Sequence, residues 1–456
     1  MKNFFFSTVY NSNLYKLIIE QCLREAKLDK KKIIIKQIKI KKIPSFNFLF
    51  FCMICFLKGD FFSKEKVLNI NYKNVYFGIH AISKTYRSFK SYESNLIFFF
   101  NLFKNIYIAG KLINTADYIL SNYKFKYAYI DHLEYLNGII YQKFVLNNKT
   151  VYSNRYPKNI LRCTNKNISK IFKLNFRGNK IKKNDLTKTK KKIKQTFSAL
   201  ENYLPWMKRV EYDKFKLKSL KKYKYIIYAH SFTDSQLTYG YDGFANVYDW
   251  LKFTVDILEK KKVNFIIKSH PNFYLSSKGK TFNEIYFWDN KIFSNYISSL
   301  TKKKNILILN QPFNNKDIVK LLDKKCIVVT KHGTIQLEMA HHNFKIIASE
   351  QNVFDKKYKL ANSWNSKEQY IKLLNTDWSK LKYANKKNTL IAFKDMFLND
   401  DTPYGKNFYL RMLKNEMVKK GILSKNTTFE NVVLKFNKLK QIKSFLDKIR
   451  VPILRA

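Results

Sequence analysis

Glycine, proline and arginine are scarce in this chain of 456 residues, and its cysteines are few. With 11 glycines, 7 prolines and no low-complexity tract, the sequence is unlike a collagen-type or disordered chain. The five cysteines are odd in number and irregularly spaced, which argues against a disulfide framework and favours a reducing compartment. Cys52 and Cys55 form a C-x-x-C pair, but no second pair completes a zinc site.

Carboxylates are also scarce, since 33 Asp and Glu face 87 Lys and Arg and leave a net charge of +54. Such a charge is typical of nucleic-acid-binding proteins. Only nine of the basic residues are arginine, however, and arginine is the residue that reads bases with bidentate contacts. We therefore expect no specific nucleic-acid partner. The lysines are expected to attract the chain to phosphorylated ligands and to the inner face of an anionic membrane.

An uninterrupted apolar run long enough to span a bilayer is missing as well. The run Phe46–Leu57 has twelve residues, short of the roughly 20 that span a bilayer, and predicts a buried helix or strand or an interfacial patch. The first residues contain no continuous apolar segment with a small-residue cleavage site, so no signal peptide is predicted. The expected location is cytoplasmic, with peripheral contact to the inner membrane.

The length predicts two domains and an extension, because a single core rarely serves so many residues. The predicted boundaries are 1–215, with a basic linker near 177–195, then 216–400, then a C-terminal helical extension at 401–456. Alternating apolar runs indicate a βαβ rhythm and parallel sheets. Strands are predicted at 33–40, 75–79, 106–109, 127–130, 150–152, 225–228, 263–268, 326–330 and 344–348. Helices are predicted at 112–121, 133–144, 193–203, 247–258, 366–374, 378–398 and 408–420.

The stretch 328–347, VVTKHGTIQLEMAHHNFKII, predicts one strand–turn–helix–strand unit. Its strand ends at His332, Gly333 and Thr334. Backbone N–H groups at a helix start attract phosphate, and a glycine lets phosphate approach the backbone closely. Glu338 lies one helical turn further on, where its carboxylate could accept hydrogen bonds from ribose hydroxyls. A tight turn with an incidental histidine is the alternative interpretation.

A second strand end lies upstream, where the apolar run 263–268 stops at Ser269, His270 and Pro271. Proline ends the strand and fixes the turn, so His270 is expected at the carboxyl end of its strand, like His332. Ligands of open parallel α/β sheets bind at that edge. The two motifs, K-x-H-P and H-G-T-x-x-x-E, therefore predict a phosphate site to which both histidines contribute.

These motifs resemble the nucleotide-sugar domain of bacterial capsule-polysaccharide glycosyltransferases, the group that includes Kdo transferases and bacterial polysialyltransferases. The resemblance covers about residues 225–349. It implies an α/β fold with two Rossmann-like doubly wound domains that face each other across a cleft, the GT-B architecture, here with C-terminal helices. It further implies that the first domain holds the acceptor and the second holds the nucleotide-sugar donor.

The resemblance also implies residue roles. His270 is expected to be catalytic, and donor binding is assigned to Lys268, His270, Pro271, His332, Gly333, Thr334 and Glu338. GT-B transferases generally stabilise the leaving phosphate with helix dipoles and basic side chains, so neither a metal ion nor a cofactor is expected. A long polar and aromatic connection at 229–246 is predicted to line the cleft, because loops of that length are usually functional. Its candidate residues are His230, Ser231, Asp234, Gln236 and Asp242.

On the acceptor side, Asp131, His132 and Glu134 follow the predicted strand 127–130. An inverting sugar transfer needs a base that takes the proton of the acceptor hydroxyl. Asp131 is the first choice for that base, and His132 is also a candidate catalytic residue. Alternatively, Asp131 caps the following helix and Glu134 completes a capping box.

The predicted function is transfer of a sugar from a nucleotide-sugar donor to a growing capsular or lipopolysaccharide-like surface glycan, with a glycan or lipid-linked acceptor. Three alternatives remain open. The chain could transfer polyol phosphate from CDP-glycerol or CDP-ribitol, it could epimerise a UDP-sugar, or it could be a basic nucleic-acid-binding protein.

Overall fold

A computed structural model gives the fold of the chain. It describes residues 3–8, 23, 28, 33–92, 94–130, 133, 135–155, 158–164, 183–198, 219–233, 237, 240–270, 273, 284–310, 313, 315–352, 354, 358–395, 418, 421 and 424. Two sheets are present in this part of the chain, one of five strands and one of six.

The first sheet has the strand order β2-β1-β3-β4-β5. Its strands are parallel except for the last pair, which is antiparallel. An order that begins 2-1-3-4 is that of flavodoxin-like doubly wound sheets, in which the switch point lies between the first and third strands. The strands are β1 (Asn3–Ser7), β2 (Ile33–Gln37), β3 (Phe125–Tyr129), β4 (Thr150–Arg155) and β5 (Lys158–Cys163).

Helices follow or connect these strands, and three of them begin at a serine whose hydroxyl accepts a hydrogen bond from the first turn. The helices are α1 (Phe46–Leu57), α2 (Lys64–Asn69), α3 (Phe77–Thr85), α4 (Asn95–Asn122), α5 (Asn137–Leu146) and α6 (Lys183–Ser198). Short 3₁₀ turns at Asp60–Phe62 and Phe89–Tyr92 join them.

Several predictions for this half are wrong. The stretches 75–79 and 106–109 are not strands: residues 77–79 begin α3, and 106–109 lie inside α4. A short apolar run does not distinguish a strand from a buried helix, and the longer pattern of α4 is helical because Leu102, Ile106 and Ala109 are buried. Strand β1, which lies between β2 and β3, and the antiparallel β5 were not anticipated.

The basic stretch 177–194 was predicted to be a linker or an exposed loop, yet α6 begins at Lys183. Thr189, Ile193 and Phe197 are buried at a spacing of four residues, which brings one side of this lysine-rich helix against the hydrophobic core around the second sheet.

The second sheet has the order β11-β10-β9-β6-β7-β8, and every neighbouring pair is parallel. Counted within this sheet, the order is 3-2-1-4-5-6, that of the dinucleotide-binding fold. The topological switch point lies between β6 and β9. The strands are β6 (Tyr225–Tyr228), β7 (Phe265–Lys268), β8 (Ile306–Leu309), β9 (Ile327–Thr330), β10 (Lys345–Ser349) and β11 (Asn362–Trp364).

Four strands of this sheet were predicted from sequence, and β6, β7, β9 and β10 confirm them. The fold class, α/β with two doubly wound Rossmann-like sheets, is confirmed by the strand orders. The domain boundaries remain a prediction. The helices of this half are α7 (Val247–Lys260), α8 (Glu284–Ser298), α9 (Asn315–Leu321), α10 (Ile335–His341), α11 (Lys367–Asn375) and α12 (Lys386–Phe393).

The C-terminal helices agree only partly with expectation. Helix α11 confirms the prediction at 366–374, whereas the described part of the stretch 378–398, which ends at Asp395, contains a 3₁₀ turn, Trp378–Lys380, followed by α12. Asn385 begins α12 because its side chain accepts from the N–H groups of Lys387 and Asn388. The helix predicted at 408–420 lies outside the described residues.

Polar contacts join the two halves. The Tyr92 hydroxyl donates to the carbonyl of Phe232, Lys64 pairs with Asp249 at 3.4 Å, and the Tyr241 hydroxyl lies 3.5 Å from a Glu65 carboxylate oxygen. Because 229–246 includes Phe232 and Tyr241, this loop of the second half packs directly against the first.

Candidate functional site

Three histidines meet at the carboxyl ends of three neighbouring strands. His230 follows β6, His270 follows β7 and His332 follows β9. The His230 ring is central, with centroids 5.5 Å from the His270 ring and 5.7 Å from the His332 ring, both edge to face. Two of these histidines, His230 and His332, flank the switch point of the sheet, where ligands of such folds bind.

The turn after β9 is held in a conformation that requires glycine. The Thr330 hydroxyl donates to the carbonyl of His332 at 2.9 Å. Gly333 has φ +109°, and a Cβ there would lie 3.3 Å from Cδ2 of His230. The absence of a side chain therefore leaves the backbone next to the His230 ring open to a ligand.

Helix α10 starts directly after this turn, with Thr334 as its half-buried cap residue. It has seven residues. Such a short helix aligns few peptide dipoles. We therefore expect the histidines and the glycine turn to contribute more to anion binding than the helix does.

Burial sets the charge of the histidines. It lowers the pKa of His270 well below 6.5, with His230 and Lys268 lowering it further. It likewise lowers the pKa of His332 well below 6.5, with Lys331 and His230 adding to the effect. Both rings are therefore neutral at pH 7 in the unliganded protein, where each offers one donor and one acceptor nitrogen. A nearby anion would raise both pKa values.

A buried ion pair fixes the start of the His332 turn. Lys331 and Asp242 are both fully buried, and the ammonium donates to both carboxylate oxygens. Asp242 also accepts from the N–H of Phe244 at 3.2 Å. The prediction that Asp242 lines the cleft is wrong, because its carboxylate is occupied in anchoring the loop 240–246 to the end of β9.

A second buried carboxylate, Asp289 of α8, holds the residues after His230. It accepts from the hydroxyl of Ser231, from the N–H groups of Phe232 and Thr233, and from the Thr233 hydroxyl. The prediction that Ser231 contacts a ligand is therefore wrong, because its hydroxyl is buried and directed to Asp289. Sequence reasoning missed Asp289, since nothing near it along the chain marks it as a partner of this loop.

Glu338 and Lys268 are two further buried charged residues near this site in sequence. Glu338 is 6% exposed, and Asn315 donates to it at 2.9 Å. Burial raises the pKa of Glu338 to about 7, although the Asn315 hydrogen bond and Lys268 lower it. Burial lowers the pKa of Lys268 to about 8, and Glu338 raises it.

Lys268 is 2% exposed, and its ammonium lies 5.8 Å from the centre of the Tyr228 ring. A direct contact between Lys268 and a donor remains a prediction. The charge of Lys268 lowers the pKa of Glu338 and that of His270. The ribose contact of Glu338 remains a prediction.

Buried polar atoms without a hydrogen-bond partner mark the same edge. Within the described residues they include Oγ of Ser269, Oδ1 of Asn310 and Oδ1 of Asn315. Buried polar groups are normally paired, so these three atoms are candidates for contacts to a polar ligand at this edge. Sequence reasoning missed both asparagines. The apolar run Ile306–Leu309, which ends at Asn310, is the signal that could have indicated the first.

Five predicted site residues lie outside the described part of the chain, and their roles stay predictions: Asp131, His132, Asp234, Gln236 and Pro271. Ile130, the last residue described before them on the acceptor side, is fully buried and donates to the carbonyl of Tyr152 at 2.9 Å. Among the residues that are described, no three His, Cys, Asp or Glu side chains form a group that could hold a metal ion. Metal independence of the reaction remains a prediction.

Comparison with known proteins finds distant structural matches. No family model and no curated protein sequence matches the chain. The beta Kdo 2,4 transferase KpsC of Thermosulfurimonas dismutans matches with a TM-score of 0.36 and 10% identity, over 58% of this chain and 78% of that one. The Methanocaldococcus jannaschii UDP-GlcNAc 2-epimerase, in complex with UDP-GlcNAc and UDP, matches with a TM-score of 0.26 and 13% identity, over 86% and 99% of the two chains. These values are too low to assign a function.

Proposed function

We propose that the chain is a glycosyltransferase that moves a sugar from a nucleotide-sugar donor to a growing surface glycan, capsular or lipopolysaccharide-like. The observation that carries this proposal is the group of three histidines beside the Gly333 turn, at the switch point of a sheet with the order 3-2-1-4-5-6. The similarity of the two strand-end motifs to capsule-polysaccharide glycosyltransferases supports the same reading.

In this proposal the donor phosphates lie against His270 and His332. Neutral imidazoles donate one hydrogen bond each to phosphate oxygens, and they become better charge partners when the anion raises their pKa. Negative charge develops on the leaving nucleotide phosphate during transfer, so donors already aimed at it lower the barrier. The proposed role of His270 is that of a catalytic donor to this phosphate.

The acceptor is proposed to bind at the first sheet. Its switch point lies between β1 and β3, where the Thr8 N–H donates to the carbonyl of Tyr129 at 3.1 Å. Asp131, the proposed base, follows Tyr129 by two residues in the sequence. A carboxylate at that place in the chain suits removal of the acceptor hydroxyl proton.

The test is a binding and turnover panel with the purified full-length chain. CMP-, UDP- and GDP-sugars, CDP-glycerol and CDP-ribitol are titrated calorimetrically, and product formation is followed with a labelled donor. We expect one nucleotide class to bind, and His332→Ala to weaken that binding about tenfold or more, because it removes a hydrogen bond to a charged group. His342→Ala is the matched control, a histidine substitution beyond α10 that should leave binding unchanged.

Two outcomes would overturn the proposal. One is the absence of binding by every nucleotide in the panel. The other is isomerisation of a UDP-sugar without an acceptor, which would assign the site to an epimerase. A polyol-phosphate product would support the proposed nucleotide site but show that the transferred group is a polyol phosphate instead of a sugar.

A further inference from the structure

We propose that the exposed apolar face formed by α1, the turn Asp60–Phe62 and the start of α4 docks on the surface of an anionic lipid bilayer. This bilayer face lies on the half of the chain that carries the first sheet. The inference rests on that surface alone and does not require the proposed sugar transfer.

Helix α1 is apolar around its whole circumference, although most of it faces solvent. Only Phe48 and Cys55 of its twelve residues are buried. Phe46 is 80% exposed and Leu57 is 76% exposed. Helices that are apolar on all sides are normally buried, so exposed apolar side chains on this helix indicate a missing apolar environment.

The face continues onto α4 through a chain of aromatic contacts. The Phe56 and Phe62 rings are 5.3 Å apart, and Phe62 and Phe99 are 5.7 Å apart. At the start of α4, Leu96 is 81% exposed and Phe100 is 72% exposed. A contiguous surface of this kind is typical of an interaction site, unlike single scattered apolar residues.

By length and composition α4 could cross a membrane, but the packing of the helix argues against that. Of its most apolar 18-residue window, 44% is buried inside the protein, and Leu102 and Ala109 are completely buried in the hydrophobic core around the first sheet. A helix that gives one side to the core and exposes an apolar stripe on the other lies on a bilayer surface and does not span it.

Positive charge predominates beside the bilayer face, and the acidic residue of its turn, Asp60, pairs with Lys66 at 3.3 Å. From Lys36 to Lys58 the chain carries five lysines and no carboxylate, and Lys104 of α4 is exposed. Asp117, the one acidic residue of α4, already pairs with Lys143 at 2.8 Å. Phe and Leu flanked by lysines complement acyl chains below anionic head groups.

The same charges disfavour a second copy of this chain as the occupant. Two such faces would bring their lysines together, and like charges across an interface oppose association. Lysine is also depleted from protein–protein interfaces. An anionic bilayer satisfies both the apolar side chains and the charges around them.

The experiment is vesicle flotation of the full-length chain. The vesicles consist of phosphatidylethanolamine with phosphatidylglycerol, and phosphatidylcholine vesicles serve as the neutral comparison. The patch variant carries Leu57→Gln, Leu96→Gln and Phe100→Gln, three exposed positions whose change leaves the cores intact. Its matched control is Ile371→Gln in α11, an exposed apolar residue of the other half. Circular dichroism melting checks that each variant folds.

A charge variant separates the apolar contribution from the electrostatic one. Lys58→Glu with Lys104→Glu changes the rim of the bilayer face, whereas Lys302→Glu with Lys304→Glu changes the net charge equally at exposed sites of the other half. We expect wild-type and both controls to float with anionic vesicles, and the patch and rim variants to lose at least about tenfold in partitioning.

Three results would overturn the proposal: no flotation of the wild-type chain with anionic vesicles, equal flotation of the folded patch variant and its control, or equal loss in both charge variants. A wild-type dimer that the patch variant converts to a monomer, without any vesicle binding, would assign the face to a second copy and would equally overturn it.

Discussion

Replacing Glu338 by glutamine should remove the free-energy penalty that ionisation of this buried carboxyl imposes on the folded state as pH rises. Burial keeps the pKa of this carboxyl at about 7, above its ordinary value of 4.5. Between these two values the unfolded chain releases the proton and the folded chain keeps it, so wild-type stability falls as pH rises through this window. The cost is fully present above pH 7 and absent below pH 4.5.

The structure sets the size of the effect. Each pKa unit is worth about 1.4 kcal/mol, so a rise from 4.5 to about 7 corresponds to about 3 kcal/mol. Glutamine keeps the shape of the side chain and its acceptor for Asn315 but cannot ionise. The stability of Glu338→Gln relative to wild type should therefore increase by about 3 kcal/mol between pH 4.5 and 7.5.

The assay is urea unfolding of both proteins at half-unit pH steps. The histidines make the stability rise with pH, because their lowered pKa values mean that the unfolded state binds more protons. This contribution is the same in both proteins and cancels in the difference between them. Glu368→Gln is the control. The Ser366 hydroxyl lowers the pKa of the exposed Glu368 carboxyl, so it titrates below the window. A stability difference that stays constant from pH 4.5 to 7.5 would refute the reasoning.

Three further predictions concern the site. Gly333→Ala should cost about 1–3 kcal/mol of stability, because an L residue at φ +109° is strained, and it should also weaken nucleotide binding. An unchanged melting temperature and an unchanged nucleotide affinity would show that the turn does not require glycine. Nucleotide binding at pH 7 should take up protons, because the anion raises the lowered pKa values of His270 and His332; calorimetric enthalpies that are the same in buffers of different ionisation enthalpy would contradict this. Asp131→Asn should lose most transfer activity and keep donor binding and thermal stability. Full activity of this variant would show that another residue is the base.

Four strands of the second sheet, β6, β7, β9 and β10, could be predicted from sequence because they are buried on both faces. Such strands are short continuous apolar runs, as in Tyr225–Tyr228 and Ile327–Thr330, and the polar residues that end them mark the ligand edge. His270 and His332 were found in this way. His230 was proposed only as one member of a long loop, since its place between the other two depends on the strand order.

The parts of the fold and of the site that could not be predicted depend on contacts between residues that are far apart in the sequence. Asp242 and Ser231 look like ligand contacts in the sequence, but the buried partners Lys331 and Asp289 occupy them. In the first half, the apolar run at 106–109 has the composition of a strand, and only its place within a 28-residue helix settles its conformation. The local sequence pattern does not distinguish a short strand from a segment of a buried helix.

A crystal structure of the chain with its bound nucleotide would test the proposed donor site most directly. The phosphate oxygens should lie within hydrogen-bond distance of the imidazole nitrogens of His270 and His332, beside the backbone of Gly333, with the ribose toward Glu338. A nucleotide bound away from the carboxyl ends of β6, β7 and β9, with the three histidines still packed on one another, would contradict the proposed function.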